Sequence, residues 1–323
     1  MTRGFISGFA EDLNHMIDLR VALNFSENTY LERAKTFDTF CAEKYPQSTV
    51  IVESMVWNWL KTGEENTVTL HRKAAFLRTF AKYQKSVGKP AYVIPEAFTS
   101  GYKVFVPYMM TDQELSDLFS VIDHYEKKSR PFEGTVLSVY FRLTYTCGLR
   151  PAEGRNLKCS EIDLKSGEIR IINAKWHKSR TIVMSDEMHA LVKKYAILRG
   201  AAFPESEYFF PSADGGPYSA TSLGQRFKRF YALIHPDTPA ELLPSVRVYD
   251  LRHRFATTAL NQWLDSGVDI SSRLPYLQTY MGHKDLNSTA YYIHLLPENL
   301  VKSAGIDWDN MNRLLPEVEL WQE

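Results

Sequence analysis

The stretch that decides the fold is Thr135-Val-Leu-Ser-Val-Tyr-Phe-Arg-Leu-Thr-Tyr-Thr-Cys147-Gly148-Leu149-Arg150-Pro151-Ala152-Glu153. Thr135 to Cys147 reads as a long apolar helix, and Gly148 stops it. The turn then delivers an arginine, with a glutamate three positions on. Three short strand-like pieces follow, at Glu161–Leu164, Glu168–Ile172 and Arg180–Met184. Ser166-Gly167 makes the first turn between them, and the polar run Ala174 to Ser179 makes a longer tip. After Ser185 the periodicity returns to helical, over about 186–199, 221–234, 250–265, 270–281 and 285–294. This half of the chain is therefore mainly helical with one small antiparallel sheet.

Working upstream, Thr111-Asp-Gln-Glu114 is a capping box that opens an amphipathic run through Leu115, Leu118, Phe119 and Ile122. Before it, residues 89–110 collect Pro90, Pro95, Gly101 and Pro107, the best linker in the chain. Residues 1–88 read as helices with short breaks. A first covers about Phe9 to Leu23. Ser26 is placed to cap a second, carrying Tyr30, Ala34, Phe37 and Cys41, which Pro46 ends. Val52 to Leu60 make a third, closed by Gly63. Thr67 opens a fourth, with Leu70, Ala74, Leu77 and Ala81 on one face. The expected domains are 1–88, a linker 89–110, 111–297, and a C-terminal tail 298–323.

Composition bounds the function classes. The 323 residues are 44% hydrophobic and 24% charged, values of a globular protein rather than a rod or a disordered chain. Lys+Arg and Asp+Glu are both 38, so only the distribution of charge can point to a partner. From Thr67 to Lys103 seven basic residues face the single acid Glu96, whereas six acids lie between Glu298 and Glu323. Cys41, Cys147 and Cys159 cannot all pair and have no metal-ligand spacing, which disfavours a disulfide framework and a structural zinc. No apolar run is long enough for a membrane span and Met1 to Leu13 is no signal peptide, so a cytoplasmic protein is expected.

Four local patterns carry the chemistry. They are Gly148-Leu-Arg150-Pro-Ala-Glu153; Lys175 at the hairpin tip, before Lys178-Ser-Arg180; Tyr249-Asp-Leu-Arg252-His253; and Gly282-His283 followed by Tyr291-Tyr292-Ile-His294. Each alone has a plainer reading. Arg150 could be a charge at a helix end, Lys175 a soluble hairpin tip, His283 a surface histidine, and Tyr292 one more packed tyrosine. Together, in this order and at these intervals, they resemble the tyrosine recombinases, or phage integrase family, strongly over 111–300 and more weakly over 25–90. The resemblance implies a helical, SAM-like core DNA-binding domain and a catalytic domain of the DNA breaking-rejoining enzyme fold.

It also implies the site. Arg150 and Arg252 match the two catalytic arginines, Glu153 the acidic residue beside the first, and Lys175 the hairpin lysine. His283 matches the His-or-Trp position. The nucleophile lies nine positions after it and is followed by x-His, which selects Tyr292 over Tyr291. Tyr249 stands where the family usually has histidine, and a phenol, with an ordinary pKa of about 10, is a poorer base than an imidazole. The implied chemistry is consistent with the residue types. Two guanidiniums clamp the non-bridging oxygens of a phosphodiester, and an imidazole N–H donates to them. A tyrosine attacks phosphorus to leave a 3′-phosphotyrosyl link, and a lysine protonates the departing 5′-oxygen. The link stores the bond energy, so no ATP, metal or other cofactor is expected.

The expected partner is double-stranded DNA held in a clamp. Arg72, Lys73, Arg78 and Lys82 would contact phosphates on one side, and Arg180, Arg226 and Arg229, with Arg142, Lys228 and Arg254, on the other. The resemblance further implies a monomer or weak oligomer in solution, a tetramer on synapsed sites, and possible accessory bending or directionality proteins. The tail would dock on a neighbouring subunit. A mobile-element integrase is the first reading. A Xer-type resolution recombinase and a type IB topoisomerase are the alternatives.

Overall fold

The computed structural model describes residues 3–62, 67–99, 107–125, 130–172 and 179–295. They fall into two compact units, Met1–Phe105 and Val106–Glu323.

The first unit is built on α1 (Ala10–Ala22), α2 (Asn28–Lys44), α3 (Glu53–Leu60) and α4 (Thr67–Ser86). Their apolar faces meet in a core of Phe9, Leu13, Phe37, Met55, Trp59 and Phe80. The Phe37 ring meets Trp59 edge-on at 5.1 Å, an arrangement that suits the ring quadrupoles. Asp38 of α2 ties down the start of the chain by accepting from the Ile6 and Ser7 amides and the Ser7 hydroxyl. The Ser26 cap is not made. Glu27 is the N-cap of α2, with no side-chain bond, and Ser26 contributes only its carbonyl, to the Thr29 amide.

The second unit begins with α5 (Asp112–Asp123), whose expected capping box is present: Thr111 Oγ1 accepts from the Glu114 amide and Glu114 Oε2 from the Thr111 amide. The long apolar helix is α6 (Glu133–Thr146). It is buried along most of its length and packs against α5, α8 (Asp186–Ala202) and α10 (Val248–Asp265). Gly148 ends the turn after it at φ 57°. A Cβ there would lie 2.4 Å from Phe255 Cδ1, so both conformation and space require glycine.

Between α6 and α8 lie a short helix α7 (Pro151–Arg155) and a sheet of β1 (Ile162–Asp163), β2 (Glu168–Ile171) and β3 (Arg180–Val183). The strands are antiparallel in the order β1-β2-β3, with Ile162 opposite Ile169 and Ile169 opposite Ile182. Alternation turns these isoleucines into the main core. The chain continues through α9 (Ala220–Leu233), α10, α11 (Ile270–Met281) and α12 (Asn287–Ala290). The expected helix 285–294 is instead α12 followed by a 3₁₀ turn, Tyr291–Leu295. That turn rests on α10 and closes a smaller core of Ala256, Leu260, Leu277, Met281, Tyr292 and Ile293.

Candidate active site

Arg150 is the N-cap of α7, and Pro151 follows at the first helical position, where its missing N–H is no loss. Glu153, one turn in, reaches back. Its Oε2 accepts from the Arg150 amide at 2.8 Å and its Oε1 from Arg150 Nη1 at 2.7 Å. From the first residue of β3, Arg180 grips the same carboxylate bidentately at 2.9 and 2.8 Å. Arg252, on the second turn of α10, brings Nη1 to 4.0 Å from Glu153 Oε2. Burial alone would raise the Glu153 pKa, but the bonds from Arg180 and Arg150 outweigh it and hold the carboxyl at about 2.

Backbone carbonyls fix the arginines from behind. Arg252 has no exposure and donates to the Gly148 and Met281 carbonyls, both at 2.6 Å. Arg150 Nη2 donates to the Gly282 carbonyl, and Arg180 Nε to that of Tyr280 at 2.8 Å. Gly282, at φ 65°, caps α11; a Cβ there would sit 2.9 Å from Arg180 Nη1. The two glycines that punctuate the sequence thus shape the turns that receive the arginines.

His283 follows at once. Its Nε2 lies 3.0 Å from Arg252 Nη2 and its Nδ1 2.8 Å from Thr289 Oγ1. A guanidinium only donates, so Nε2 accepts, the ring proton sits on Nδ1, and Thr289 receives it. Burial first, then Arg252, Arg150 and Arg180, push the His283 pKa down to about 3, leaving a neutral ring at pH 7. Nothing in the sequence pattern points to Thr289, because only the fold of α12 brings it to the histidine.

Tyr292 is buried on the 3₁₀ turn, its ring nearly parallel to His283 at 5.9 Å and tilted against His253 at 5.5 Å. Burial pushes its phenol up to about 12 against the opposing pull of Arg252. Tyr291 is half-buried beside it. Tyr249, in the first turn of α10, is half-buried with its ring 4.9 Å from His253. The structure therefore brings Arg150, Tyr249, Arg252, His283 and Tyr292 to one locus. Lys175 lies outside the described residues.

A cleft of about 390 Å³ opens beside Arg150 and Tyr249. Arg155, Lys228 and Arg247 line it, and no carboxylate stands among its described lining residues.

The model of the phage integrase family matches residues 109–299. The chain belongs to the phage integrase family. It is 26% identical to a Sinorhizobium fredii protein named as an integrase/recombinase, y4rE, over 90% of this chain and 92% of that one. The tyrosine recombinase XerC of Staphylococcus epidermidis is 25% identical over 88% and 92% of the two chains. The Tn1549 transposon integrase, solved in complex with circular intermediate DNA, shares the fold. It has a TM-score of 0.64 at 16% identity, covering 94% of this chain and 99% of that one.

In this integrase-family chain the cations expected to meet DNA divide in two. Arg72, Lys82 and Arg229 are exposed. Lys73 is instead turned inward, 4.7 Å from the centre of the Trp59 ring and donating to the Trp59 carbonyl. Arg78 is held by the Ile94 and Pro95 carbonyls. Arg226 pairs with buried Glu133, and Arg180 with Glu153, because a buried carboxylate requires a partner. Arg142 and Arg254 likewise pair with Asp123 and Asp112. Arg180 is thus a member of the site cluster rather than a surface contact.

Proposed function

We propose that this chain cuts and rejoins DNA strands at specific sites through a 3′-phosphotyrosyl intermediate formed by Tyr292. The observation that carries this reading is a buried phenol beside three guanidiniums that share one carboxylate. Two positive charges are left over, in a place where water is scarce and each is worth more than at a surface. A phosphodiester supplies one negative charge at rest and gathers more on its non-bridging oxygens as it is attacked. Arg252 Nε is buried with no hydrogen-bond partner and is a donor held for such an oxygen. Arg150 is its counterpart on α7. His283, whose Nε2 accepts from Arg252 Nη2, holds that guanidinium in place for the phosphate, and Tyr249 donates a phenolic hydrogen bond.

In the same reading Lys175 protonates the leaving 5′-oxygen. Residues 1–88 hold the duplex through exposed cations such as Arg72 and Lys82, residues 111–297 perform the chemistry, and 298–323 dock on a neighbouring subunit in a tetramer on two sites. The arginines meet the charge of the transition state, so neither metal nor ATP enters, and EDTA should leave cleavage unchanged. A mobile element is the proposed source of the recombining sites; recombination of paired chromosomal resolution sites instead would favour a Xer-type role.

The experiment is adduct formation on a nicked DNA that traps the covalent complex. Tyr292→Phe should abolish the adduct and keep DNA binding, while Tyr291→Phe should form it. The reverse pattern would shift the nucleophile by one residue. Lys175→Ala should cleave slowly on ordinary DNA and be rescued by a 5′-bridging phosphorothioate, whose leaving group needs no proton. Absence of rescue would move the acid to another residue.

A further inference from the structure

Tyr292 attacks as a nucleophile only when its hydroxyl proton has somewhere to go, and burial makes that proton harder to remove. The position usually held by histidine is a phenol here, Tyr249. His283 is occupied: its Nε2 already accepts from Arg252, and a proton placed there would point at a guanidinium. One further imidazole lies against the nucleophile. His253, one turn after Tyr249 on α10, contacts the rings of Tyr249, Tyr291 and Tyr292 at 4.9, 6.5 and 5.5 Å. Its Nδ1 is buried and has no hydrogen-bond partner. A buried nitrogen without a partner carries a desolvation cost, which the fold tolerates at this position beside the nucleophile.

We infer that His253 accepts the hydroxyl proton of Tyr292 during attack and returns it during rejoining. The inference rests on the proposed phosphotyrosyl reading. In the forward step the Tyr292 O–H bond breaks, its proton passes to the imidazole, and the freed electron pair forms the O–P bond. The bond from phosphorus to the 5′-oxygen breaks, and that oxygen takes a proton from the general acid. Rejoining runs the same transfers backward.

The charges around His253 agree with such a role. On its own helix stand Arg247, Tyr249 and Arg252; on the 3₁₀ turn stand Tyr291 and Tyr292. Asp250 is buried and bonded to Arg247. Burial first, then Arg247 and Arg252, hold the ring neutral with a pKa of about 4. A bound phosphodiester offsets the Arg252 charge, so the imidazole becomes more basic as substrate arrives. The neutral form is present above its pKa, so cleavage should fall as pH drops through a midpoint above 4.

His253→Phe keeps an aromatic ring in the stack and removes both nitrogens. We expect it to bind DNA, to form the adduct about 10²- to 10⁴-fold more slowly, and to lose the acid limb of the pH profile. In His253→Ala, added imidazoles should restore the adduct in proportion to their basicity. A His253→Phe chain with the wild-type rate and pH profile would reduce His253 to packing and overturn the inference. So would loss of the acid limb in Tyr249→Phe while His253→Phe retains it. Should the phenylalanine variant fail to bind DNA, His253→Ala decides, and no rescue by any imidazole overturns the proposal. Tyr292→Phe, run in parallel, separates the two layers: an adduct that persists in it removes the nucleophile assignment itself.

Discussion

Two buried carboxylates, one in each unit, solve the same problem in opposite ways. Asp38 in the first unit accepts from two backbone amides and one hydroxyl, all neutral dipoles, and so closes a local account of hydrogen bonds around one negative charge. Glu153 in the second unit is shared among Arg150, Arg180 and Arg252. It leaves positive charge unmatched and a guanidinium nitrogen of fully buried Arg252 without a partner. The first arrangement anchors a chain end. The second keeps within the fold more positive charge than its carboxylate balances, together with a buried donor that has no partner, the kind of local exception to polar satisfaction that marks a candidate site.

The largest expected effect tests whether Glu153 holds the cationic cluster together. Glu153→Gln should lower unfolding stability by about 3–5 kcal/mol, because the buried guanidiniums lose their counter-ion. Denaturant midpoints at neutral pH would measure it. The pH dependence follows from the depressed pKa. Stability from this carboxylate is fully present above its ordinary value of 4.5 and is lost as pH falls toward its folded value of about 2. The gap between wild type and Glu153→Gln should therefore narrow across that window. A constant gap down to pH 2 would mean that the carboxylate does not carry the interaction.

A smaller effect tests the other half of the comparison. Asp38→Ala leaves the Ile6 and Ser7 amides without acceptors, at a cost of about 1–3 kcal/mol. Per folded molecule, adduct formation should not change. A loss of adduct in the fully folded fraction would show that the first unit's carboxylate is more than an anchor.

These two sites also show what the sequence made legible. Features set by neighbours in the chain were readable: the apolar helix and its stop at Gly148, the capping box from Thr111 to Glu114, and the three strands. Arg150 and Glu153 were readable as a pair because one turn of helix separates them. Arg180 was not, since its partner lies 27 residues away and only the turn of β3 toward α7 joins them. Lys73 falls in a basic run, which points to a surface cation, yet its position beside Ala74 puts its stem on the buried face and its ammonium over Trp59. Ser26 had a capping side chain, but the helix begins two residues later. The run 285–294 suggested one helix, whereas packing on α10 tightens its second half into a 3₁₀ turn, and that turn sets where Tyr292 points.

The smallest effect is the sharpest test of unmatched charge. If the Glu153 cluster is short of negative charge, a simple oxyanion should bind it without DNA, and binding to the native state alone raises stability. At a sulfate concentration equal to its dissociation constant the gain is about 0.4 kcal/mol, from RT ln(1 + [L]/Kd). For a unit of this size that corresponds to a rise in Tm of about 1–2 °C. Sulfate also stabilises proteins by exclusion from their surface, so the comparison must be internal. The anion-specific part should saturate with sulfate, persist in Asp38→Ala, and weaken in Arg252→Gln, where one of the two surplus charges is gone. Exclusion would instead rise without saturation and act on all three chains alike. A rise that is linear in sulfate and unaffected by Arg252→Gln would mean that the guanidiniums are already balanced by the carbonyls of Gly148, Met281 and Gly282, and the contrast between the two carboxylates would fall.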